Sequence, residues 1–172
     1  MKLKYDVAVI GGGPAGLAAA LAADKAGAST LLIEREAALG GILKQCIHDG
    51  FGLVRFGEKL AGPEYAQRFL DELPSSGVAV SLSTFVTRAE KTESGFSLTL
   101  VTMGGIQYAD VKKLVLATGC RERPAAARLV PGNRPAGVFT TGSLQRFVYG
   151  VEGQIGRRAV VGEPAAAERH GG

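Results

Sequence analysis

Tyr5-Asp6-Val7-Ala8-Val9-Ile10, then Gly11-Gly12-Gly13-Pro14-Ala15-Gly16, an Ala/Leu run, and Leu31-Leu32-Ile33-Glu34 form the stretch that decides the fold. The short apolar run reads as a buried parallel strand. The spaced glycines let the chain turn tightly, approach a pyrophosphate and pack the next helix close to the sheet. Glu34 closes the second apolar run, where a carboxylate accepts hydrogen bonds from a ribose, so a nucleotide with a free 2′-hydroxyl is expected over a 2′-phosphate. Spaced glycines alone are a weak signal in a chain with 25 glycines among 172 residues. The context of strand before, helix after and a second strand ending in an acid carries the weight.

The length suits one full domain, or one domain and the start of another, and 46% apolar residues suffice for a core. The formal charge is +4, but the basic residues are scattered pairs (Lys112-Lys113, Arg121 and Arg123, Arg157-Arg158) without interleaved aromatics. No nucleic-acid partner is expected. Cys46 and Cys120 have neither C-x-x-C nor metal-ligand spacing, so no disulfide framework and no metal site are expected, and a reducing cytoplasm fits best. The opening Met1-Lys2-Leu3-Lys4 superficially resembles a secretory leader. Asp6 and the break at Gly11 to Pro14 interrupt its apolar region, and no later stretch is long enough to span a membrane.

Along the chain, residues 14–27 read as the first helix, with Pro14 in its opening turn and Gly27 at its C-terminal cap. Arg35 to Gly57 reads as a long functional loop with a turn or two of helix. Pro63 to Leu73 reads as a second helix with Tyr65, Phe69 and Leu73 on one face. Val78 to Leu82 reads as a third parallel strand. Phe85 to Ala89, Phe96 to Val101 and Ile106 to Val111 form an antiparallel meander with turns at Ser94-Gly95 and Gly104-Gly105. Leu114 to Ala117 reads as a separate strand of the main sheet. Arg121 to Pro135 is loop, Gly137 to Thr140 a short strand, Ser143 to Tyr149 a helix capped by Ser143, and Arg158 to Val161 the beginning of another strand.

The order of Gly11 to Gly16, Glu34-Arg35, Gly40-Gly41, the meander and Leu116-Ala117-Thr118-Gly119 resembles the FAD-binding domains of two-dinucleotide-domain flavoproteins, the pyridine nucleotide-disulfide oxidoreductase group. The resemblance runs from residue 5 to about 161. The strings Gln45 to Leu53 and Phe56 to Ala66 are similar to the branch that partners amino-acid, opine or glycerol-3-phosphate dehydrogenases. It implies an α/β, Rossmann-like FAD-binding domain with a parallel central sheet and a small antiparallel β-meander. FAD is the implied cofactor. Gly11, Gly13, Pro14, Ala15 and Gly16 would receive its pyrophosphate at a helix N-terminus, Glu34 would bind the adenosine ribose, and Arg35 would lie near the adenine. Gly41 would run beside the ribityl chain and isoalloxazine. Ala117, Thr118 and Gly119 would line the crevice at the end of a parallel strand, and Val86 would offer backbone contacts to adenine. A partner dehydrogenase or a second copy of the chain is the implied partner.

Cys46 and His48 are the candidates for chemistry. Cys46 lies where disulfide reductases of the group place their dithiol, but Leu43 and Lys44 precede it without a second cysteine. Exchange through C-x-x-x-x-C is therefore excluded. Cys46 reads as a buried thiol ahead of a reactive flavin neighbour. For His48, donation to a flavin or substrate and satisfaction of loop carbonyls stand level. Arg121 and Arg123 read as solvated loop residues, and Cys120 as a packing residue.

Full-length members of the group carry a second, NAD(P)-binding unit. Arg158 to Glu168 resembles its start, yet Pro164 and Ala167 stand where its second and third glycines belong. Pro164 removes an N–H and Ala167 adds a Cβ, so NAD(P)H binding by this chain alone is not expected. The expected division is residues 1–157 as the flavin domain, incomplete relative to the group, and 158–172 as a vestige of the second unit or a tail. Two functions remain open: an oxidoreductase domain passing hydride or electrons between flavin, a nicotinamide nucleotide and a partner dehydrogenase, or a non-catalytic FAD-holding module of a larger assembly. A single-domain NAD-dependent dehydrogenase is disfavoured by the meander and the Ala-Thr-Gly string.

Overall fold

In the computed structural model, which describes residues 2–123, 127, 132–133 and 136–150, β1 (Leu3–Ile10) leads through the glycine turn into α1 (Pro14–Lys25) and back to β2 (Thr30–Ile33). Pro14 occupies the first turn of α1, where its missing N–H costs nothing. Gly27 follows with φ +82°, a left-handed geometry suited to a helix end. The loop after β2 contains a 3-10 turn (Gly41–Gln45), β3 (Asp49–Phe51), α2 (Leu53–Phe56) and β4 (Leu60–Ala61), and leads to α3 (Gly62–Glu72). Thus the expected long loop, Arg35 to Gly57, contains a short strand, β3, that pairs antiparallel with β4 just beyond it. β5 (Ala79–Ser81), β6 (Phe85–Thr92), β7 (Gly95–Thr102) and β8 (Gly105–Leu116) complete the larger sheet.

That sheet has the order β5-β2-β1-β8-β7-β6. β2 and β8 flank β1 in parallel, β5 adds parallel to β2, and β6, β7 and β8 are antiparallel neighbours. The expected break between the meander and Leu114 to Ala117 is absent. β8 is one 12-residue strand, pairing with β7 as far as Val111 and with β1 from Ala109 to Leu116. The alternating half of this strand and its continuous apolar half look like different elements in sequence, because in the second half Leu114 packs with the meander layer and Val115 with the helix layer.

Two apolar layers follow from the alternation of side chains along β1 and β2. Ala8, Leu31 and Ile33 pack with Leu98, Leu100, Ala109 and Val111 of the meander. Val9 and Leu32 pack on the other face with Leu17, Ala20 and Leu21 of α1 and Phe69 of α3. The central strands are therefore sandwiched between meander and helices. Below them, Asp6 of β1 ties three segments. Its carboxylate accepts the N–H and hydroxyl of Ser29 at 3.0 and 2.7 Å and pairs with Lys112 of β8 at 2.6 Å.

The contacts divide the chain into two compact units, residues 1–120 and 121–172. Described by itself, the second contains α4 (Thr141–Gln145) continuing as a wider turn over Arg146–Gly150. The helix expected from Ser143 thus begins two residues earlier behind Thr140, whose hydroxyl donates to that of Ser143 at 2.9 Å. The strand expected over Gly137 to Thr140 does not form: Gly137 lies in a turn and residues 138–140 have no regular structure. The expected strand at Arg158 and the unit around Gly162 fall outside the described residues.

Phe69 is 1% exposed and meets Phe56 and Tyr65 edge-on at centroid distances of 5.4 and 5.2 Å. Phe69→Ala should cost about 3–5 kcal/mol, read by thermal or denaturant unfolding. The lysine and serine beside Asp6 hold its carboxyl well below the usual carboxylate range. A depressed folded pKa contributes stability above the unfolded value, lost as pH falls. The melting temperature should therefore drop on acidification below about pH 4, the ordinary carboxylate range. Asp6→Asn should reduce that slope, and an unaltered slope would show that the clasp contributes nothing.

Candidate functional site

The sequence places glycine at positions 11, 12, 13 and 16 of the first turn, and the structure separates their duties. Gly11 has φ +108°, and its N–H donates to Ile33 O at 2.8 Å. An added Cβ there would overlap the Ala117 carbonyl, and one at Gly16 would overlap the carbonyl of Gly11. Both glycines let β1, the N-terminal turn of α1 and the exit of β8 touch backbone to backbone. Gly13 differs, because a Cβ built on it meets only Gly41 Cα at 3.9 Å, and its φ is −77°. Nothing in the fold itself requires glycine at 13. The open side lies at the N-terminus of α1, whose first turn carries no acidic residue. The N–H groups of Ala15 and Gly16 there have no carbonyl within the helix to bond. Unpaired N–H groups and the positive end of a helix dipole receive an anion.

Glu34, one strand away, is 7% exposed and every polar group it has is engaged. Its N–H donates to Ser81 O at 2.9 Å and its carbonyl accepts from Thr84 N at 2.9 Å. Its carboxylate accepts the N–H of Gly12 at 2.6 Å through Oε2 and the N–H of Glu36 at 2.8 Å through Oε1. A carboxylate has about four lone-pair sites, so acceptor capacity remains for ribose hydroxyls. Arg35 is exposed, with its Nε 3.7 Å from Glu36. The bond from Thr84 brings the start of β6 beside Glu34, and Val86 follows two residues on. Its side chain packs into the meander layer, which leaves only its backbone for any ligand.

Gly40 (φ +106°) and Gly41 (φ +53°) fold the next loop onto the first turn. Gly40 N donates to Gly12 O at 2.8 Å, and a Cβ on Gly41 would stand 2.9 Å from Gly13 Cα. The two glycine pairs are thus one site. Cys46 ends the 3-10 turn as a partly buried free thiol. Its carbonyl accepts the N–H of Gly62 at 2.8 Å, where a Cβ would be 2.7 Å from Cys46 Cβ. His48 is exposed, its Nδ1 3.1 Å from Asp49 O. Its ring begins a ladder through Phe51 (5.2 Å) and Tyr65 (6.0 Å from Phe51) to Phe69. Thr118 and Gly119 are exposed beyond β8, and Ala117 N donates to Ile10 O at 2.8 Å. Cys120 is an exposed free thiol.

Sequence reasoning passed over Gly12, Leu39 and Thr84. Gly12 is buried because Leu39 fills the space that its Cβ would occupy, and Thr84 is 2% exposed with its hydroxyl bonded to Leu82 O and Ser81 Oγ. Periodicity cannot find such residues, since each is defined by a partner on another segment. Among the described residues no cluster of histidine, cysteine and carboxylate side chains could hold a metal ion.

The donor set fits FAD: a glycine with open space at a helix N-terminus for the pyrophosphate, and a carboxylate with spare acceptor capacity one strand away for the ribose. Hydrogen cyanide synthase subunit HcnB of Pseudomonas protegens is 34% identical over 155 residues, covering 83% of this chain and 30% of that protein. An opine oxidase subunit from Agrobacterium tumefaciens is 30% identical over 148 residues, covering 82% and 28%. The chain thus spans less than a third of the length of these relatives. The crystal structure of L-proline dehydrogenase from P. horikoshii superposes with a TM-score of 0.61 at 27% identity, over 69% of this chain and 23% of that one. Residues 5–162 match the pyridine nucleotide-disulphide oxidoreductase family, and the chain belongs to that family as an FAD-binding oxidoreductase domain.

Proposed function

We propose that this chain holds FAD with its pyrophosphate against Gly13, Pro14, Ala15 and Gly16, its adenosine ribose at Glu34, and its flavin half running past Gly41 toward Thr118 and Gly119. On this reading the flavin exchanges electrons or hydride with a nicotinamide nucleotide and a partner dehydrogenase, and residues 1–157 form the flavin-binding part. The open face of Gly13 at the N-terminus of α1 is the observation that carries it, because the neighbouring glycines are already closed by the protein itself.

Bound flavin supplies the redox chemistry. The chain's own residues bind and orient it. The α1 N-terminus offsets phosphate charge, Glu34 accepts from sugar hydroxyls, and Arg35, at the rim, lies near the adenine. Val86 contributes backbone alone to the adenine pocket. Cys46 and His48 lie on the loop that leaves Gly41, and His48 Nδ1 meets the carbonyl of Asp49. Ala117 seals the floor beneath Gly11.

A second reading, a non-catalytic FAD-holding module of a larger assembly, is favoured by Pro164 and Ala167. These residues remove the glycine cradle a nicotinamide nucleotide would need. The relatives' names as subunits support a partner chain in either reading. Oxidation of NADH by the purified chain at a substantial rate would favour the first reading, and FAD uptake without that turnover the second.

The purified chain should show the visible absorption of oxidised flavin, or acquire it on addition of FAD, and acid should release FAD as the nucleotide. A colourless chain that takes up no FAD would defeat both readings. Gly13→Ala should lower stability by no more than about 1 kcal/mol, the cost of alanine at a helix N-cap, since its Cβ meets only an ordinary contact in the protein. It should weaken FAD binding at least about tenfold by blocking the backbone approach. Unchanged affinity by flavin fluorescence titration would show that the pyrophosphate lies elsewhere.

A further inference from the structure

Gly12 has spent both of its backbone polar groups on the protein. Its N–H goes to Glu34 Oε2 at 2.6 Å and its carbonyl accepts Gly40 N at 2.8 Å. The same Glu34 carboxylate takes the N–H of Glu36 at 2.8 Å. Among the described residues no lysine, arginine or histidine forms an ion pair with it. A buried carboxylate without a cation needs N–H donors, and here they come from the turn that begins α1 and from the backbone just beyond β2. Hydrogen bonds of this charge-assisted kind are short and about twice as strong as neutral ones. Leu39 closes over Gly12 from outside.

We propose that Glu34 is a positioning residue: its carboxylate latches Gly12 to the end of β2 and so holds the glycine turn in its nucleotide-receiving shape before any ligand arrives. The inference rests on the FAD reading of the site but adds to it, because the ribose role alone would leave Glu34 idle in the empty chain. It also assigns the anion's donors. With Gly12 N–H committed to Glu34, the pyrophosphate faces the N–H groups of Gly13, Ala15 and Gly16. Glutamate is required by geometry and by chemistry. Aspartate is one methylene shorter, and glutamine turns an NH₂ group toward one of the two N–H donors, leaving that pair donor against donor.

Two measurements test the latch. The first is amide hydrogen exchange, by NMR, on the ligand-free chain. In Glu34→Ala the N–H groups of Gly12 and Glu36, and in Glu34→Gln whichever of the two meets the NH₂ group, should exchange at least about tenfold faster. Gly11 N–H, which bonds Ile33 O, should keep its wild-type rate and so report an intact fold. Glu34→Gln, equal in size and retaining one acceptor, is the variant that decides if Glu34→Ala loses protection throughout. Unchanged exchange at both Gly12 and Glu36 overturns the proposal.

The second compares binding of FAD with that of an FAD analogue lacking both hydroxyls of the adenosine ribose. A latch weakens both, by at least about tenfold, in the Glu34 variant whose Gly12 N–H has lost its protection. A ribose ligand alone weakens only FAD and leaves the analogue unchanged, which overturns the proposal. If the wild-type chain takes up neither compound, the FAD reading fails while the exchange measurement still decides the latch.

Discussion

Backbone-to-backbone contact at Gly11 is the constraint on which the rest of this structure depends. The carbonyl of Gly11 lies where a side chain on residue 16 would begin, and the carbonyl of Ala117 lies where one on Gly11 would begin. Only with both Cβ atoms missing can the end of β1, the first turn of α1 and the exit of β8 meet at one point. That meeting aims the N-terminus of α1 at the strand ends, where ligands of open α/β sheets bind. It also lets Leu17, Ala20 and Leu21 press flat on Val9 and Leu32, so the helix layer and the site have one origin.

The other layer is organised by β8. In its first half the strand closes the meander, with Leu98 opposite Ala109 and Phe96 opposite Val111. In its second half it pairs with β1 and brings Ala117 and the N–H of Thr118 against Gly11. Residues 109–111 are held on both sides, by β7 and by β1, so a shift of register in the meander would move the floor of the glycine turn. The Asp6 clasp to Ser29 and Lys112 pins the same register at the opposite end of the sheet. The meander therefore does more than cover apolar surface.

The second glycine pair ties the long loop to this frame. Gly40 bonds Gly12, Gly41 meets Gly13, and the aromatic ladder from His48 to Phe69 anchors the loop on α3. Cys46 and His48 are therefore held by packing although they lie on irregular backbone. The string Gln45 to Leu53 carries no sustained period, and the short strand β3 within it forms only through its pairing with β4.

From the sequence itself came the strand, turn and helix at the start, the helix over α3 with its Tyr65 and Phe69 face, the three meander strands and the acid closing β2. These are local properties, because periodicity and turn chemistry are written within a dozen residues. The continuity of β8, the pairing of β3 with β4, the start of α4 at Thr141 and the division of labour among Gly11, Gly12, Gly13 and Gly16 were decided by tertiary structure. Each depends on a partner distant in the chain. A glycine looks the same in sequence whether the space beside it is filled by Leu39, closed by Ala117 or left open for a ligand, and only packing distinguishes the three.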